Sequence, residues 1–384
     1  MNKRVLLVAT VPSMIGQFNM NNIHILLDMG YQVDVAADFS DSSVWPPDRV
    51  DIFKEQLKQL NIECFQLDFS RSPLKIQRHY KSYKETLNLI NERKYSFIHT
   101  HTPIASAIVR LAAHKAGVKV IYTAHGFHFY NGAPLKNWMI FYPIEKYLSK
   151  YTDVLITINK EDYKRAKEKF HAKKVVYIPG VGVDTEKFAV CKVDRSAKRA
   201  ELGLKDSDFL LLSVGELSER KNQKVIIDAL HKMKVEGSID NIIYLAVGKG
   251  DQEEEFRQLI MEYDLSDHIK LLGFRTDIYE LCKTVDCFVH PSTREGLGIA
   301  PLEAMAAGLP LISADVNGIK DYTEDGVSGC CINPTDVDEM VNAIKRMRDD
   351  EKFRKKCGSN NFKTAKTFDI RNTNTIMTEA YNDI

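Results

Sequence analysis

The sequence lacks several features that would assign it to a particular class of protein. It has seven cysteines, an odd number, and no Cys-x-x-Cys pair. This pattern argues against a disulfide framework and a zinc site, and it favours a reducing cytoplasm. No stretch approaches the roughly 18 uninterrupted apolar residues of a membrane span. The apolar run at residues 5–9 is too short for the core of a signal peptide and predicts a first buried strand.

A glycine-rich nucleotide fingerprint is also missing from the start of the chain. The turn predicted at residues 10–18 contains only Gly16, whereas a dinucleotide site needs Gly-x-Gly-x-x-Gly. Gly16 is therefore either an ordinary loop glycine or a point where a ligand approaches the backbone closely. His101, His125 and His128 have no carboxylate companions at metal-ligand spacing, so no metal site is expected.

The net charge of +1 conceals an asymmetry between the two halves of the chain. Residues 1–185 contain 25 Lys and Arg against 17 Asp and Glu, whereas residues 186–384 contain 28 against 35. A basic half joined to an acidic half suggests that one domain faces an anionic partner, although random drift of surface charge is an alternative. No helix suited to reading DNA is recognisable, so no nucleic-acid partner is expected.

Two segments of the basic half combine cations with aromatic residues, as helices at an anionic membrane face do. They comprise Arg71, Lys75, Arg78, Lys81 and Lys84 with Tyr80 and Tyr83, and residues 134–142 with Lys146 and Lys150. The alternatives are a solvated helix face for the first segment and a core helix for the second.

Short apolar runs alternate with amphipathic helical patterns along the chain. The predicted strands are residues 5–9, 32–36, 62–67, 97–100, 119–122, 154–158, 175–178, 209–214, 242–247, 269–272, 287–290, 310–313 and 329–332. Helices are predicted at residues 20–29, 48–59, 75–93, 104–115, 135–149, 160–170, 223–234, 252–263, 276–282, 300–307 and 336–348. This alternation indicates an α/β fold with parallel sheets covered by helices.

A turn-rich segment at residues 179–184 and a polar stretch through residue 198 indicate a hinge. We therefore predict two doubly wound, Rossmann-like domains, residues 1–185 and 186–367, with a C-terminal helical segment, 368–384, packing back on the first. Open parallel sheets bind ligands beyond the carboxyl ends of their strands, so two facing domains would share one cleft.

The most informative stretch is residues 294–308, which follows a predicted buried strand. Glu295 precedes two glycines, Gly296 and Gly298, and Glu303 follows inside an Ala-rich predicted helix. A helix start beyond a strand offers free backbone N–H groups and a positive dipole end, which suit a phosphate or a sugar hydroxyl.

Other strand ends of the second domain carry matching chemistry. Arg220 and Lys221 begin a helix beyond the strand at 209–214, where cations can hold phosphate oxygens. Gly273, Phe274 and Arg275 follow the strand at 269–272, where their backbone is placed to line a flat ring. Phosphate, ring and hydroxyl contacts together predict a nucleotide-sugar site.

These residues carry a family resemblance that extends over essentially the whole chain. Glu295-x7-Glu303, the segment 215–222 and the segment 179–184 resemble the retaining GT-B glycosyltransferases of family 4, also called group 1. The segment 123–130 around His125 looks more narrowly like exopolysaccharide and capsule glycosyltransferases of Gram-positive bacteria.

The resemblance implies roles for the two glutamates and the residues between them. Glu303 would bind the ribose hydroxyls of the nucleotide, and Glu295 would contact the hydroxyls of the donor sugar. The N–H groups that would meet the sugar and the diphosphate are those of Gly296, Leu297, Gly298 and Ile299.

The same resemblance implies that Lys221, with Arg220, stabilises the charge that develops on the leaving diphosphate. His125 would approach the donor sugar from the opposite domain, and Gly16 would lie beneath the acceptor and the phosphates. One departure is Glu216, since many relatives have an arginine there and a carboxylate cannot bind phosphate.

The predicted protein is thus a metal-independent, retaining hexosyltransferase with no cofactor. It would move sugar from a nucleotide sugar, expected to be UDP-linked, to a polyprenyl-diphosphate-linked saccharide in exopolysaccharide or capsule biosynthesis. We expect it in the cytoplasm, peripheral on the inner membrane face through its basic domain. The alternatives are a sugar-nucleotide 2-epimerase of the same fold and a non-catalytic nucleotide-sugar-binding subunit, which the substitution at Glu216 favours.

Overall fold

The computed structural model describes residues 3–384, which fall into two compact units. The first unit comprises the residues up to Val181 together with Arg371–Ile384, and the second comprises Gly182–Ile370. The first unit therefore ends at residue 181, whereas the predicted boundary is residue 185. The C-terminal segment returns to the first unit at residue 371, whereas the prediction places its start at 368.

The first unit contains a parallel sheet of seven strands in the order β3-β2-β1-β4-β5-β6-β7. The strands are β1 Arg4–Val8, β2 Gln32–Ala37, β3 Glu63–Gln66, β4 Phe97–His101, β5 Lys119–Ala124, β6 Val154–Thr157 and β7 Lys174–Tyr177. The helices are α1 Pro12–Phe18, α2 Met20–Asp28, α3 Pro47–Gln59, α4 Ile76–Arg93, α5 Pro103–Ala116, α6 Leu135–Leu148 and α7 Lys160–Lys169.

The second unit contains a parallel sheet of six strands in the order β10-β9-β8-β11-β12-β13. The strands are β8 Phe209–Val214, β9 Ile242–Val247, β10 Ile269–Gly273, β11 Cys287–His290, β12 Leu311–Ala314 and β13 Gly329–Ile332. The helices are α8 Thr185–Val190, α9 Arg195–Glu201, α10 Lys224–Val235, α11 Glu253–Glu262, α12 Ile278–Thr284, α13 Ile299–Ala306, α14 Val337–Asp349 and α15 Glu351–Ala365. The last helix, α16 Ile370–Asn382, belongs to the first unit from its second residue onward.

Both sheets have the strand order of a Rossmann-like fold. In each, the chain winds outward from a central strand, then returns to start the other half beside it, so β1 lies next to β4 and β8 next to β11. The central strands are almost wholly buried and rich in Val, Ile and Leu, as parallel strands covered on two faces must be. Ligands of such sheets bind at the carboxyl ends of the two strands where the order reverses.

All thirteen predicted strands are present, and their ends differ from the predicted ones by at most two residues. Four helices were not predicted: α1, α8, α9 and α15. The segment 10–18 was predicted as a turn, but Pro12 occupies the first position of α1, where its missing N–H costs nothing. His99 lies within the predicted fourth strand, and β4 extends one residue further than predicted, to include His101.

None of the helices found between residues 3 and 384 is long and apolar enough to cross a membrane.

Candidate active site

Two loops meet at the point where the strand order of the second sheet reverses. Asn222, in the loop after β8, donates from Nδ2 to the carbonyl oxygen of Pro291 at 3.1 Å, just beyond β11. The N–H of Thr293 donates in the opposite direction, to the carbonyl oxygen of Arg220 at 2.9 Å. Asn222 has a left-handed backbone with a φ of 57°, a conformation that asparagine tolerates better than most residues. The two loops are thereby held in one arrangement.

This arrangement brings Glu295 together with both predicted cations. Its Oε2 atom lies 2.5 Å from Nζ of Lys221 and 3.2 Å from Nη1 of Arg220. Nε2 of His290, the last residue of β11, lies 3.6 Å from the same oxygen. The side chain of Lys221 is 16% exposed, whereas that of Arg220 is 44% exposed. Lys221 is thus mostly enclosed, and Arg220 remains accessible from solvent.

The cluster fixes the charge of the glutamate. Burial alone would raise the pKa of Glu295, but the charge of Lys221, the contact with His290 and the charge of Arg220 hold that pKa well below its usual range. Burial lowers the pKa of His290, and the neighbouring Glu295 only partly opposes this shift. At neutral pH the cluster therefore combines one carboxylate, two cations and a neutral imidazole.

His290 has no role in the sequence-based prediction, which treats it only as a strand residue. The signal for it was its place as the final residue of a buried strand next to the point where the strand order reverses. The role of Asn222 was missed too, because a loop-to-loop hydrogen bond leaves no local pattern.

The backbone after Glu295 is shaped to expose the start of α13. Gly298 occupies the N-cap position with a φ of 87°, and no side chain caps the helix there. Gly318 packs so closely that a Cβ atom on it would lie 1.9 Å from the carbonyl oxygen of Gly296. The hydroxyl of Tyr322 donates to the carbonyl oxygen of Leu297 at 2.8 Å. The carbonyl side of the loop is therefore occupied by protein, while helix-start N–H groups such as that of Ile299 have no intrahelical acceptor.

Glu303 lies one turn into α13 and has a different environment from Glu295. Its carboxylate forms no hydrogen bond or ion pair with any residue that the structure describes. Burial raises the pKa of Glu303 to about 7, and the positive charge of Lys187 only partly opposes this. A partly buried carboxylate whose two oxygens accept no hydrogen bond from the described residues is suited to accept hydrogen bonds from a pair of neighbouring hydroxyls.

The residues predicted to line a ring lie at the end of β10, two strands from β8: Gly273 is the last residue of the strand, and Phe274 and Arg275 follow it. The carbonyl oxygen of Gly273 accepts a hydrogen bond from the N–H of Gly248 at 2.8 Å. The guanidinium of Arg275 forms a two-pronged pair with Asp277, with distances of 2.8 and 2.5 Å, so it is committed within the protein. Phe274 is 59% exposed and presents a flat surface at this edge.

Glu216, the departure from the family pattern, has an exposed side chain. Its carbonyl oxygen accepts a hydrogen bond from Nε2 of Gln223 at 2.9 Å, so its backbone helps to shape the loop. The accessible guanidinium of Arg220 lies in the same loop, four residues further on.

The Asp-x-Asp triplets of the chain have structural roles. Among residues 3–384, no cluster of three or more His, Cys, Asp or Glu side chains is arranged to hold a metal ion. The chain contains two Asp-x-Asp triplets, at residues 206–208 and 336–338. Asp208 accepts the N–H of Lys205 at 2.7 Å, and Asp336 caps α14 by accepting two backbone N–H groups.

In the first unit, His125 follows β5 and belongs to a row of histidines. Nδ1 of His101 lies 3.1 Å from Nε2 of His125. His99 is fully enclosed, with Nδ1 at 2.8 Å from the hydroxyl of Tyr381 and Nε2 at 2.8 Å from that of Thr123. Burial lowers the pKa of His125 to about 4 and that of His99 to about 3, so both are neutral at pH 7. A small cavity bordered by Phe18 adjoins His125.

The position of Gly16 has a packing explanation. It lies inside α1, not in a loop, and a Cβ atom on it would lie 2.3 Å from the indole ring of Trp45. Phe53 packs edge-on against that indole, with ring centroids 5.4 Å apart. The space that a side chain at residue 16 would need is therefore filled by Trp45.

Both halves of the chain match families of glycosyltransferases. Residues 20–187 match the family described as Glycosyltransferase Family 4, and residues 194–364 match Glycosyl transferases group 1. The chain is 35% identical over 386 residues to EpsD of Bacillus subtilis strain 168, a protein named as a glycosyltransferase, covering 99% of this chain and 97% of the relative.

A second relative and a solved structure extend this picture. The chain is 32% identical over 275 residues, 71% of each chain, to the UDP-Gal:alpha-D-GlcNAc-diphosphoundecaprenol alpha-1,3-galactosyltransferase of Escherichia coli. The fold is similar to the crystal structure of HepE from Anabaena in complex with UDP and glucose. The TM-score is 0.79 at 22% identity, covering 99% of this chain and all of the other.

Proposed function

Because the chain belongs to the family 4, group 1 glycosyltransferases, we propose that it transfers a sugar from a UDP-sugar to a polyprenyl-diphosphate-linked saccharide with retention of the anomeric configuration. The broader role, glycosyl transfer in polysaccharide biosynthesis, follows from the relatives. The choice of donor draws on the UDP complex of HepE and on the E. coli galactosyltransferase, whose name gives UDP-Gal and a diphosphoundecaprenol-linked acceptor.

The observation that carries the proposal is the cluster of Lys221, Arg220 and Glu295 beside the uncapped start of α13. Transfer from a nucleoside diphosphate sugar leaves a diphosphate that gains negative charge as the glycosidic bond breaks. Two preorganised cations and a helix start stabilise such charge without reorganising at the moment of reaction. The hydrogen bonds from Asn222 to Pro291 and from Thr293 to Arg220 hold these groups in place.

The two glutamates take different parts in this proposal. Glu303, whose carboxylate has no hydrogen-bonding partner among residues 3–384, accepts the ribose hydroxyls. Glu295, oriented by Lys221 and Arg220, accepts hydroxyls of the donor sugar. A carboxylate already neutralised by two cations is a weak nucleophile, which argues against a covalent intermediate on Glu295 and for attack by the acceptor on the same face as the departing diphosphate.

The remaining predicted residues are assigned by position. Arg220 supplies the accessible cation for the diphosphate in a loop where Glu216 cannot do so. Phe274 offers its exposed ring to the base. For His125 we propose a hydrogen bond from its neutral imidazole to a saccharide hydroxyl. The proposed reaction uses no metal ion or cofactor, and it takes place at an anionic membrane face, where lipid-linked acceptors reside.

The test is a panel of nucleotide sugars. A thermal-shift series with UDP- and GDP-sugars would identify the donor, because a ligand that binds the folded protein raises its melting temperature. Turnover is then measured with that donor and membrane-extracted lipid-linked acceptors, with NMR analysis of the anomeric configuration. Donor incubated alone must give no epimer. The proposal would be overturned if no nucleotide sugar bound the protein, or if the donor bound Glu303→Ala as tightly as the wild type.

A further inference from the structure

Helix α6, Leu135–Leu148, presents an unusually apolar face to solvent. One half of the helix is exposed along its whole length, about 21 Å at 1.5 Å per residue. The exposed fractions are 74% for Leu135, 70% for Met139, 53% for Ile140, 50% for Ile144 and 52% for Tyr147. A soluble protein rarely leaves so many large apolar side chains uncovered on one helix.

The charges on this exposed half all have the same sign. Lys136 and Lys146 lie in α6 and Lys150 lies two residues beyond its end, and none of their ammonium groups pairs with a carboxylate of any described residue. The only acidic residue in the segment 130–151 is Glu145. It is turned inward, where it pairs with the fully buried Arg110 at 2.7 Å. The face is therefore apolar and cationic, with no negative charge of its own.

The other basic segment of the first unit, around α4, also exposes apolar side chains, but carboxylates lie among its cations. Arg78 pairs with Asp38 at 2.6 Å and also contacts Asp68. Lys81 pairs with Asp68 at 3.2 Å and with Glu85 at 3.7 Å. Two of the five cations in this segment are thus neutralised within the protein, and acidic side chains share its surface, so α6 is the better candidate for an anionic surface.

We propose that the exposed half of α6 docks on the surface of a lipid bilayer that contains anionic headgroups. This inference rests on the proposed function, since it places the protein where a lipid-linked acceptor is embedded. Leu135, Met139, Ile140 and Ile144 enter the boundary between headgroups and acyl chains, and the three lysines contact the anionic headgroups. An apolar stripe flanked by lysines is how interfacial helices bind membranes.

Charge decides between a bilayer and a second copy of this chain. Pairing two α6 faces would bring Lys136, Lys146 and Lys150 of each copy together with no carboxylate to neutralise them. Like charges held close in an apolar contact oppose association. An anionic bilayer satisfies the apolar groups and the lysines at once.

The experiment is flotation of the full-length protein with vesicles of phosphatidylcholine, with and without phosphatidylglycerol. We expect binding only to the anionic vesicles, and weaker binding at high salt. Each lysine near an anionic surface contributes about fivefold in affinity, so the combined variant Lys136→Gln, Lys146→Gln, Lys150→Gln is expected to bind roughly 100-fold more weakly. The variant Leu135→Gln, Met139→Gln, Ile140→Gln is expected to lose binding to a similar extent.

Matched controls separate docking from general effects of charge or polarity. Lys352→Gln, Lys356→Gln and Lys363→Gln remove three exposed lysines from α15 in the second unit. Val190→Gln, Val235→Gln and Met261→Gln remove apolar side chains that are 65%, 75% and 67% exposed. Both control variants are expected to bind vesicles as the wild type does, and all variants are expected to keep its melting temperature.

Three outcomes would overturn the proposal: equal binding to neutral vesicles, equal loss in the controls, and self-association through α6 without vesicle binding. The inference and the proposed function can fail separately. Transfer to a detergent-solubilised acceptor without vesicle binding would refute the docking of α6 and leave the proposed function standing. Vesicle binding through α6 without transfer from any nucleotide sugar would refute the proposed function alone.

Discussion

Nδ1 of His101 lies 3.1 Å from Nε2 of His125, and this contact determines where His125 carries its proton. Both rings are neutral, because burial lowers the pKa of each. Nε2 of His101 is buried and has no partner among residues 3–384. If Nε2 of His125 donated to Nδ1 of His101, the neutral ring of His101 would carry its proton on Nε2. That buried N–H would lack an acceptor, which costs more free energy than a buried acceptor nitrogen without a donor. His101 therefore donates, and His125 carries its proton on Nδ1.

The first prediction follows from this arrangement. We expect His101→Leu to release the tautomer of His125 and to lower turnover about tenfold, because a misplaced proton weakens the hydrogen bond to the saccharide. His101→Asn retains a donor near the position of Nδ1 and should recover most of the activity. Long-range proton–nitrogen NMR spectra would report the tautomer directly. A wild-type spectrum with the proton of His125 on Nε2 would contradict the assignment. The control is His24→Gln, which replaces an exposed histidine and should leave turnover unchanged.

The second prediction concerns the enclosed cation. Lys221→Ala is expected to weaken UDP-sugar binding about tenfold and to lower kcat about 100-fold, since the diphosphate gains charge in the transition state. Lys221→Arg should retain part of kcat. Lys224→Ala, three residues further on, removes a lysine that pairs with Asp228 at 2.8 Å and should change neither quantity. Calorimetry measures the affinity for the UDP-sugar, and steady-state kinetics measure kcat. A kcat that Lys221→Ala leaves unchanged would show that Lys221 has no part in the mechanism.

The third prediction distinguishes a sugar contact from a nucleophile at Glu295. Glu295→Gln should lower turnover about 10- to 100-fold, whereas loss of a catalytic nucleophile costs on the order of 10⁶-fold. The exposed Glu219→Gln of the neighbouring loop should retain full activity. A covalent sugar adduct on Glu295, detected by mass spectrometry after a short reaction, would refute the assigned role.

The same residue has a second signature, in stability against pH. Because the folded pKa of Glu295 lies below the unfolded value of about 4.3, its ion pairs stabilise the fold fully above that value. This contribution is lost as the pH falls through the folded pKa. Glu295→Gln should therefore lower the melting temperature by about 2 to 4 °C at pH 7 and by less at pH 3. An equal difference at both values would show that the ion pairs contribute nothing.

The fourth prediction uses the raised pKa of Glu303. The ionised carboxylate accepts ribose hydroxyls best, so UDP-sugar affinity should fall about tenfold as the pH is lowered from 8 to 6, through the value of about 7. Glu303→Gln should bind more weakly at pH 8 and show little dependence on pH. The exposed Glu262→Gln should follow the wild type, and a pH-independent wild type would contradict the prediction.

Stability should change in the opposite sense for Glu303. Between about pH 4.3 and 7 the folded state holds a proton that the unfolded chain releases, so wild-type stability decreases as the pH rises through this window. Glu303→Gln removes that penalty and should melt about 2 to 4 °C above the wild type at pH 8, with a smaller gain at pH 5. Differential scanning fluorimetry at the two values would check the sign.

Much of the fold could be predicted from the sequence because the signal is local. A strand such as β8 reads as a continuous apolar run between turns, and an amphipathic helix such as α14 shows its period directly. Short helices such as α8 and α9 have too few residues to show a period. Helix α1 was mistaken for a turn because its proline and glycine suggest one, whereas Pro12 starts the helix and Gly16 makes room for Trp45.

The sequence by itself determined the alternating strands and helices, the two Rossmann-like units and the two glutamates on either side of a helix start, because all of these follow from residue order and spacing. Only the tertiary structure decided that Glu295 meets Lys221 and Arg220, whereas Glu303 has no hydrogen-bonding partner in the described part of the chain. It also decided that His101 contacts His125, and that Glu145 turns inward and leaves α6 with a uniformly cationic face. These relationships join residues far apart in the chain, and their electrostatics depend on burial that no local pattern specifies.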